Sequence, residues 1–254
     1  IRNDTTTRLT SAVVRQKQYV DGTTMITKNG NWWTPRSLSG GRPGDYMRDD
    51  SFPCERPISI ATELCTHRRN AIDVGMWIGD STVDMASLFN RVIGFEPHPM
   101  AFVCCEKNLK ARDIENTELY NIALSNVNET KMLLNGKTTF SGWVSDKKEL
   151  PKDIYVHDQT KVQCLYLDSY HFEEIDFIKI DCDSHEGYVL QGAEQFFKNN
   201  SPVVLLEAKV RIHKDRQPED MPDPFKLLES YGYILHSKVD KADFLYVRSE
   251  NAKQ

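Results

Sequence analysis

Residues 71–97, AIDVGMWIGDSTVDMASLFNRVIGFEP, decide how the rest of this chain is read. A short apolar run ends in Asp73 and Gly75, and Met76-Trp77-Ile78 leads on to Gly79. Val83, Ala86, Leu88 and Phe89 supply the apolar positions of a helix, and a second apolar run over 92–95 ends in Glu96. Strand, glycine turn, helix, strand and terminal acid make up the unit with which α/β proteins hold an adenosine-type ligand. The glycines let the backbone approach the ligand, and the acid can accept hydrogen bonds from both ribose hydroxyls.

The glycine spacing narrows the ligand. A dinucleotide turn requires Gly-x-Gly-x-x-Gly, which seats a pyrophosphate on a helix N-terminus. Here the pattern is Asp73-x-Gly75-x-x-x-Gly79, with a carboxylate at the strand end. That charge repels a pyrophosphate and suits a cation. S-adenosylmethionine, with its sulfonium and α-ammonium, has the matching sign.

Upstream, residues 1–56 differ in character from the rest. Asp21-Gly22 and Asn29-Gly30 are two-residue hairpin turns around TTMITK, so a three-stranded meander is expected over 13–20, 23–28 and 31–35. SLSGGRPGDYMRDDSFP, residues 37–53, reads as a loop dense in Gly, Pro and Asp. Trp32 and Trp33 either pack this extension onto the main domain or line a substrate pocket. The extension could serve as a lid or a dimer contact. A helical segment over 58–69 then leads into a main domain expected to span 57–254.

Downstream, residues 100–113 are helical, with Phe102, Cys105 and Leu109 on one face. TELYNIAL (117–124) reads as a strand, followed by two short strands around Asn135-Gly136 and another ending near Asp168. IDFIKID (175–181) and SPVVLLEAK (201–209) are buried strands, with a helix over 188–200 between them. A helix from about Pro224 to Gly232 precedes an antiparallel pair, YILHSKV and ADFLYVR. This alternation predicts a mostly parallel, doubly wound sheet with an antiparallel edge.

Five ordered blocks, DVGMWIGDST, VIGFEPHP, LYNIALS, IDFIKIDCDSHEGYVLQGAE and VVLLEAK, resemble the FkbM family of S-adenosylmethionine-dependent methyltransferases over about residues 70–248. The resemblance implies a Rossmann-like sheet of seven strands with the cofactor across the carboxyl ends of the first ones. It places Asp73, Gly75, Met76 and Gly79 along the methionine part, with Asp80 and Ser81 at the helix start. Glu96 takes the ribose hydroxyls, followed by Pro97, and Asn121, Ala123 and Leu124 lie near the adenine. Ser141, in TTFSGW, and Asp183 fall on the substrate side. Two departures stand out. The family commonly has small or amide residues where Met76 and Trp77 stand, and Val-Glu-Gly where this chain has Cys182-Asp183-Ser184.

Methyl transfer to an alcohol requires that the alcohol lose its proton, to a general base or with the help of a Lewis acid. Asp181, His185 and Glu207 are the catalytic candidates, Asp181 because it ends the fourth principal strand, where open sheets place ligands. Asp183 either joins them or caps the helix starting near Gly187. Asp181, Asp183, His185 and Glu207 could bind a divalent ion, although no tightly bound metal is the preferred reading. The alternative is that these acids hold Lys179, Lys209 or backbone amides in place.

Composition sets outer bounds. The chain has 254 residues, 39% hydrophobic and 27% charged, as in an ordinary globular protein. A net charge of −5 disfavours nonspecific nucleic-acid binding. None of the 6 cysteines forms a short-spaced zinc pair, and they read as reduced buried thiols. No leader pattern opens the chain and no apolar run approaches ~18 residues, so a soluble, cytoplasmic protein is expected. The leading functional reading is O-methylation of a small-molecule or glycan hydroxyl. Kept beside it are RNA 2′-O-methylation, with Lys179, Asp181, Glu207 and Lys209 as the activating group, and an inactive cofactor-binding module, which Met76 and Trp77 motivate. Oligomeric state is left open.

Overall fold

The computed structural model describes residues 26–35, 41–52, 55–136, 142–145, 156–208 and 221–250. The strand expected over 13–20, the turn at Asp21-Gly22, Ser141 and Lys209 lie outside them. Strands β1 (Ile26–Asn29) and β2 (Trp32–Pro35) form an antiparallel hairpin that turns at Gly30-Asn31, one residue later than expected. Helix α1 (Gly41–Asp49) follows where a loop was expected. Pro43 is tolerated because it sits in the first turn, where its missing N–H has no helical partner. Met47 secures the helix, buried beside Trp32.

Helix α2 (Glu55–Glu63) starts and ends earlier than the 58–69 pattern suggested. The main unit then runs β3 (Asn70–Val74), α3 (Asp80–Leu88), β4 (Arg91–Phe95), α4 (Pro99–Lys110) and β5 (Thr117–Tyr120). TELYNIAL is not one strand. It breaks after β5, because Asn121 Nδ2 donates to the carbonyls of Glu96 (2.8 Å) and Pro97 (3.1 Å) and turns the chain out of the sheet.

The chain then builds β6 (Ala123–Leu124), β7 (Glu129–Gly136), β8 (Gly142–Ser145) and β9 (Val156–Leu165). These form a second sheet of 4 strands, ordered β6-β9-β7-β8, which the pattern had not separated from the first. Asn135-Gly136 is not its turn, since Asn135 pairs with Gly142. Strand β10 (Ile175–Ile180) returns to the main sheet. The helix expected over 188–200 is two, α5 (Glu186–Gln191) and α6 (Glu194–Asn199). Strand β11 (Val203–Glu207), helix α7 (Pro224–Ser230), β12 (Tyr233–Lys238) and β13 (Asp243–Arg248) complete the order.

The main sheet has 7 strands, ordered β12-β13-β11-β10-β3-β4-β5. Strands β11, β10, β3, β4 and β5 are parallel, and β13 runs antiparallel between β11 and β12. Both faces are covered, which explains the nearly unbroken apolar runs. Ile72, Val74, Ile178, Ile180, Val204 and Leu206 point into a cluster with Leu190, Phe197 and Leu228. The alternate residues Ala71, Phe177, Val203 and Leu205 meet Ile58, Met85 and Phe89 on the opposite face.

Asp168, where a strand end was expected, lies instead in a 3-10 turn and caps α6. Its carboxylate accepts from the amides of Phe196 (2.7 Å) and Gln195 (2.9 Å). Asp168→Ala is expected to cost about 1 kcal/mol of unfolding free energy, read by urea titration, without change in ligand binding. Among the described residues no helix is long and apolar enough to cross a membrane. Cys65, Cys104, Cys105, Cys164 and Cys182 are not in disulfides. Cys104 and Cys105, about 100° apart on α4, enter different clusters, one with Trp32 and the other with Met76.

Candidate active site

The strand order reverses between β3 and β10, and open α/β sheets bind ligands beyond the carboxyl ends at such a point. The segments that follow β3 and β10 touch there. Gly75 has φ +82°, and a Cβ on it would stand 1.8 Å from the carbonyl oxygen of Asp181. Its amide donates to the Phe95 carbonyl (2.9 Å), and the Asp181 amide donates to Val74 (3.0 Å). Gly75→Ala is therefore expected to cost at least about 2 kcal/mol, from left-handed backbone strain and overpacking together. Urea unfolding checks this; a change under about 0.5 kcal/mol would show that the turn can relax freely.

Gly79, also at positive φ, precedes α3, and a Cβ there would meet the Cys105 sulfur at 2.7 Å. Between the glycines, the Met76 side chain is buried under Gly94, against Cys105 and Leu109, and does not enter the crevice. Trp77 is half-buried at φ +48° and packs toward Phe52, with ring centroids 6.3 Å apart. The two residues that motivated the inactive reading are thus occupied in packing. Asp80 opens α3. Asp73 and Ser81 lie buried beneath the turn, where Asp73 Oδ2 accepts from the hydroxyls of Ser81 and Thr82, both at 2.7 Å. Asp73 Oδ1 lies 3.8 Å from Lys179 Nζ, so part of the charge assigned to a cationic ligand is already balanced inside the fold.

Glu96 directly follows β4 and is buried. Its Oε2 accepts from the Trp77 amide (3.0 Å) and its Oε1 from the His98 amide (2.7 Å). Burial pushes its pKa up to about 7, against the pull of the two amides; Asp183 and Asp73 add to the rise. A carboxylate has about four acceptor positions, so each oxygen retains one. Two adjacent acceptors at a strand end fit the vicinal hydroxyls of a ribose. The close-approach glycine and this acid together fit an adenosyl cofactor.

A small, mostly apolar cavity opens beside them. Gly75, Pro97, Ala123, Leu124 and His185 line it, with Val74, Phe95, Ile122, Leu133 and Cys182. Residues assigned from four separate stretches thus meet around one space. Asn121 is not among the lining residues; its side chain bonds the Glu96 and Pro97 carbonyls. Leu133 and Cys182 were not foreseen, and neither was Ser125, whose hydroxyl lies 3.0 Å from His185 Nε2. No local pattern links residues 60 positions apart. Burial, with Lys131 nearby, lowers the His185 pKa to about 4, leaving a neutral ring that is a weak base.

Asp181 is half-exposed, as are Asp183 and Glu207, and its Oδ2 accepts from Lys179 Nζ at 3.1 Å. Glu207 follows one residue after the Ile180–Leu206 register pair, level with Asp181 on the next strand. It also faces Asp243 across the β11–β13 pair. Asp183 and Ser184 both have positive φ, 50° and 76°. Asp183 does not cap α5: the cap residue is His185, which makes no side-chain cap bond. Instead Glu186 Oε1 holds this turn, accepting from the amides of Ser184 (3.0 Å) and Cys182 (3.3 Å). Burial raises Glu186 to about 7 and the Cys182 thiol well above its usual range, so Cys182 stays protonated. Among the described residues, no three His, Cys, Asp or Glu side chains converge as a metal-ligand set.

Comparison with known proteins gives one family match: the methyltransferase FkbM domain, over residues 73–235. No curated protein sequence matches the chain. Among solved structures it is similar to the methyltransferase FkbM from Methylobacillus flagellatus, at 17% identity and TM-score 0.47 over 70% of this chain. The chain spans 43% of that protein's length. It is also similar to precorrin 8w decarboxylase from Methanobacterium thermoautotrophicum, with 12% identity, TM-score 0.48 and coverage of 87% and 98% of the two chains. A candidate methyltransferase from Streptococcus mutans, solved in complex with SAH, aligns at 12% identity and TM-score 0.43 over 75% and 96%.

Proposed function

The chain belongs to the FkbM methyltransferase family, and on that premise we propose that it transfers a methyl group from S-adenosylmethionine to a hydroxyl of a small molecule or glycan. The observation that carries the cofactor part is Glu96, a buried carboxylate at the end of β4 whose oxygens each keep an acceptor position beside the Gly75 turn. In this reading Glu96 binds the ribose hydroxyls, while Pro97, Ala123 and Leu124 cover the adenine with apolar surface. Gly75 lets the backbone come close to the methionine part. When bound, S-adenosylmethionine supplies an electrophilic methyl on a sulfonium.

The protein's task is then alignment and proton removal. Holding nucleophile and methyl in line supplies much of the rate. Asp181 is the candidate base, with its backbone fixed to Val74 and its carboxylate held by Lys179 at the switch point. His185, neutral and bonded to Ser125, is better suited to forming the cavity wall than to taking a proton. Glu207 is level with Asp181 and could orient the acceptor.

A panel of hydroxylated acceptors, including glycans and RNA oligomers, with formation of the demethylated cofactor as readout, tests this reading. Turnover with a glycan or small alcohol supports it, and turnover confined to RNA would replace it with 2′-O-methylation. Absence of S-adenosylmethionine binding by calorimetry would remove it altogether.

A further inference from the structure

The contacts of residues 26–35 and 41–52 point to a role for this extension. We infer that it buttresses the cofactor turn, with Asn108 as the positioning residue, holding Trp77 in a left-handed conformation that delivers its amide to Glu96. The inference rests on the reading of Glu96 as the ribose acceptor.

Asn108 lies on α4 and is wholly buried. Its Oδ1 accepts from the Trp33 amide (2.6 Å), while its Nδ2 donates to the carbonyls of Trp33 and Ile78, both at 2.9 Å. One side-chain amide therefore satisfies both backbone groups of a hairpin residue and one carbonyl of the turn between Gly75 and Gly79. The residues it joins are 75 and 30 positions away in the chain. Buried polar groups without partners are costly, so these three hydrogen bonds specify how the hairpin sits on the turn.

A second contact runs in parallel. Trp32 is buried with Met47, Ile78 and Cys104, its indole donates to Asp50, and the Arg112 guanidinium lies 3.8 Å above its ring. Phe52 stands edge-on to Trp32 at 4.7 Å and reaches Trp77 at 6.3 Å. These contacts press on a residue in a costly conformation. A bulky side chain at positive φ is strained and persists only where its surroundings over-determine it. In that conformation the Trp77 N–H meets Glu96 Oε2 at 3.0 Å. Remove the support and Trp77 relaxes, taking its amide from the carboxylate.

The consequence is electrostatic and measurable. The groups acting on Glu96 are Asp73 from β3, Asp183 from the loop after β10, and the amides of Trp77 and His98; the Cys105 thiol on α4 senses its charge in return. The two amides favour the ionised form, and the two acids oppose it. Loss of the Trp77 amide should therefore move the titration of Glu96 upward, a change that general destabilisation does not produce.

The test is a carbon-detected NMR titration of the Glu96 carboxyl in the whole chain without ligand, with SAH affinity measured in parallel. Wild type should titrate at about 7. Asn108→Ala should move that midpoint up by at least about half a unit and weaken SAH binding at neutral pH several-fold. Phe52→Leu, which keeps the Asn108 bonds, should shift it in the same direction and decides the matter if Asn108→Ala does not fold. An unchanged midpoint in the folded variants would overturn the inference. Failure of wild type to bind SAH would remove the cofactor reading instead, while the titration still judges whether the extension sets the state of Glu96.

Discussion

Glu96→Gln is expected to weaken binding of S-adenosylmethionine and of its demethylated product by about a hundredfold. Glu96 accepts from two backbone amides on separate oxygens. Glutamine presents one oxygen and one NH2, so one of those amides faces a donor and one ribose hydroxyl loses its acceptor. Each loss is worth about 1–3 kcal/mol, and together they reach about two decades in affinity. The pH dependence separates this account from simple disturbance of the fold. Burial raises the Glu96 pKa from 4.5 to about 7. The bound ligand requires the ionised form, so affinity should fall roughly tenfold per unit as pH drops below about 7 and level off above it. Binding near pH 6 should then release close to one proton, read by calorimetry in buffers of different ionisation enthalpy. The Gln variant should bind with no such dependence. A wild-type affinity that stays flat across about pH 5.5 to 8.5 would sink the assignment.

The same group leaves a mark on stability, with the opposite sign from a salt-bridged acid. Between the unfolded value of 4.5 and the folded value of about 7, the native state keeps the proton and the unfolded chain has lost it. Stability therefore declines as pH rises through that window. Glu186, also raised to about 7 by burial, adds to the slope. Two buried acids that would be more comfortable protonated are a strain on the fold. Under the proposed function, that strain at Glu96 keeps acceptors ready in a dry site.

Much of this arrangement is legible in the sequence. The main sheet was legible because its strands are buried on both faces, which forces apolar runs, and because each run is followed by a residue proposed for the site: Gly75, Glu96, Asp181. What escaped was whatever depends on contacts between distant residues. Helix α1 hid in a Gly- and Pro-rich stretch because Met47, packed beside Trp32, holds it rather than local propensity. The second sheet hid because Asn121, an ordinary polar residue in a strand-like run, bonds two carbonyls and redirects the chain. Met76, placed along the methionine part by the resemblance, turns away from the crevice instead. The missing side chain at Gly94, eighteen positions on, is what gives it room below. The pairing of His185 with Ser125 had no sequence signal at all.

Asp181→Asn is expected to lower kcat by about 10²–10⁴ while leaving cofactor affinity within about threefold, if Asp181 is the base for the acceptor hydroxyl. Asparagine preserves the shape and the backbone bond to Val74. It can still accept from Lys179 through its carbonyl oxygen, so the turn against Gly75 should survive. What it cannot do is take a proton. The geometry makes this substitution cleaner than any at Asp73, where the carboxylate also holds Ser81 and Thr82 and its removal would disturb α3. It is also cleaner than one at His185, whose neutral ring is a wall of the cavity. A glycan acceptor with a more acidic hydroxyl should narrow the gap between variant and wild type, because less help is needed to remove its proton. If kcat and cofactor affinity fell together, Asp181 would belong to the cofactor's methionine end. If neither fell, the proton would have to leave by another route, with Glu207, level with Asp181 on β11, the next carboxylate to replace.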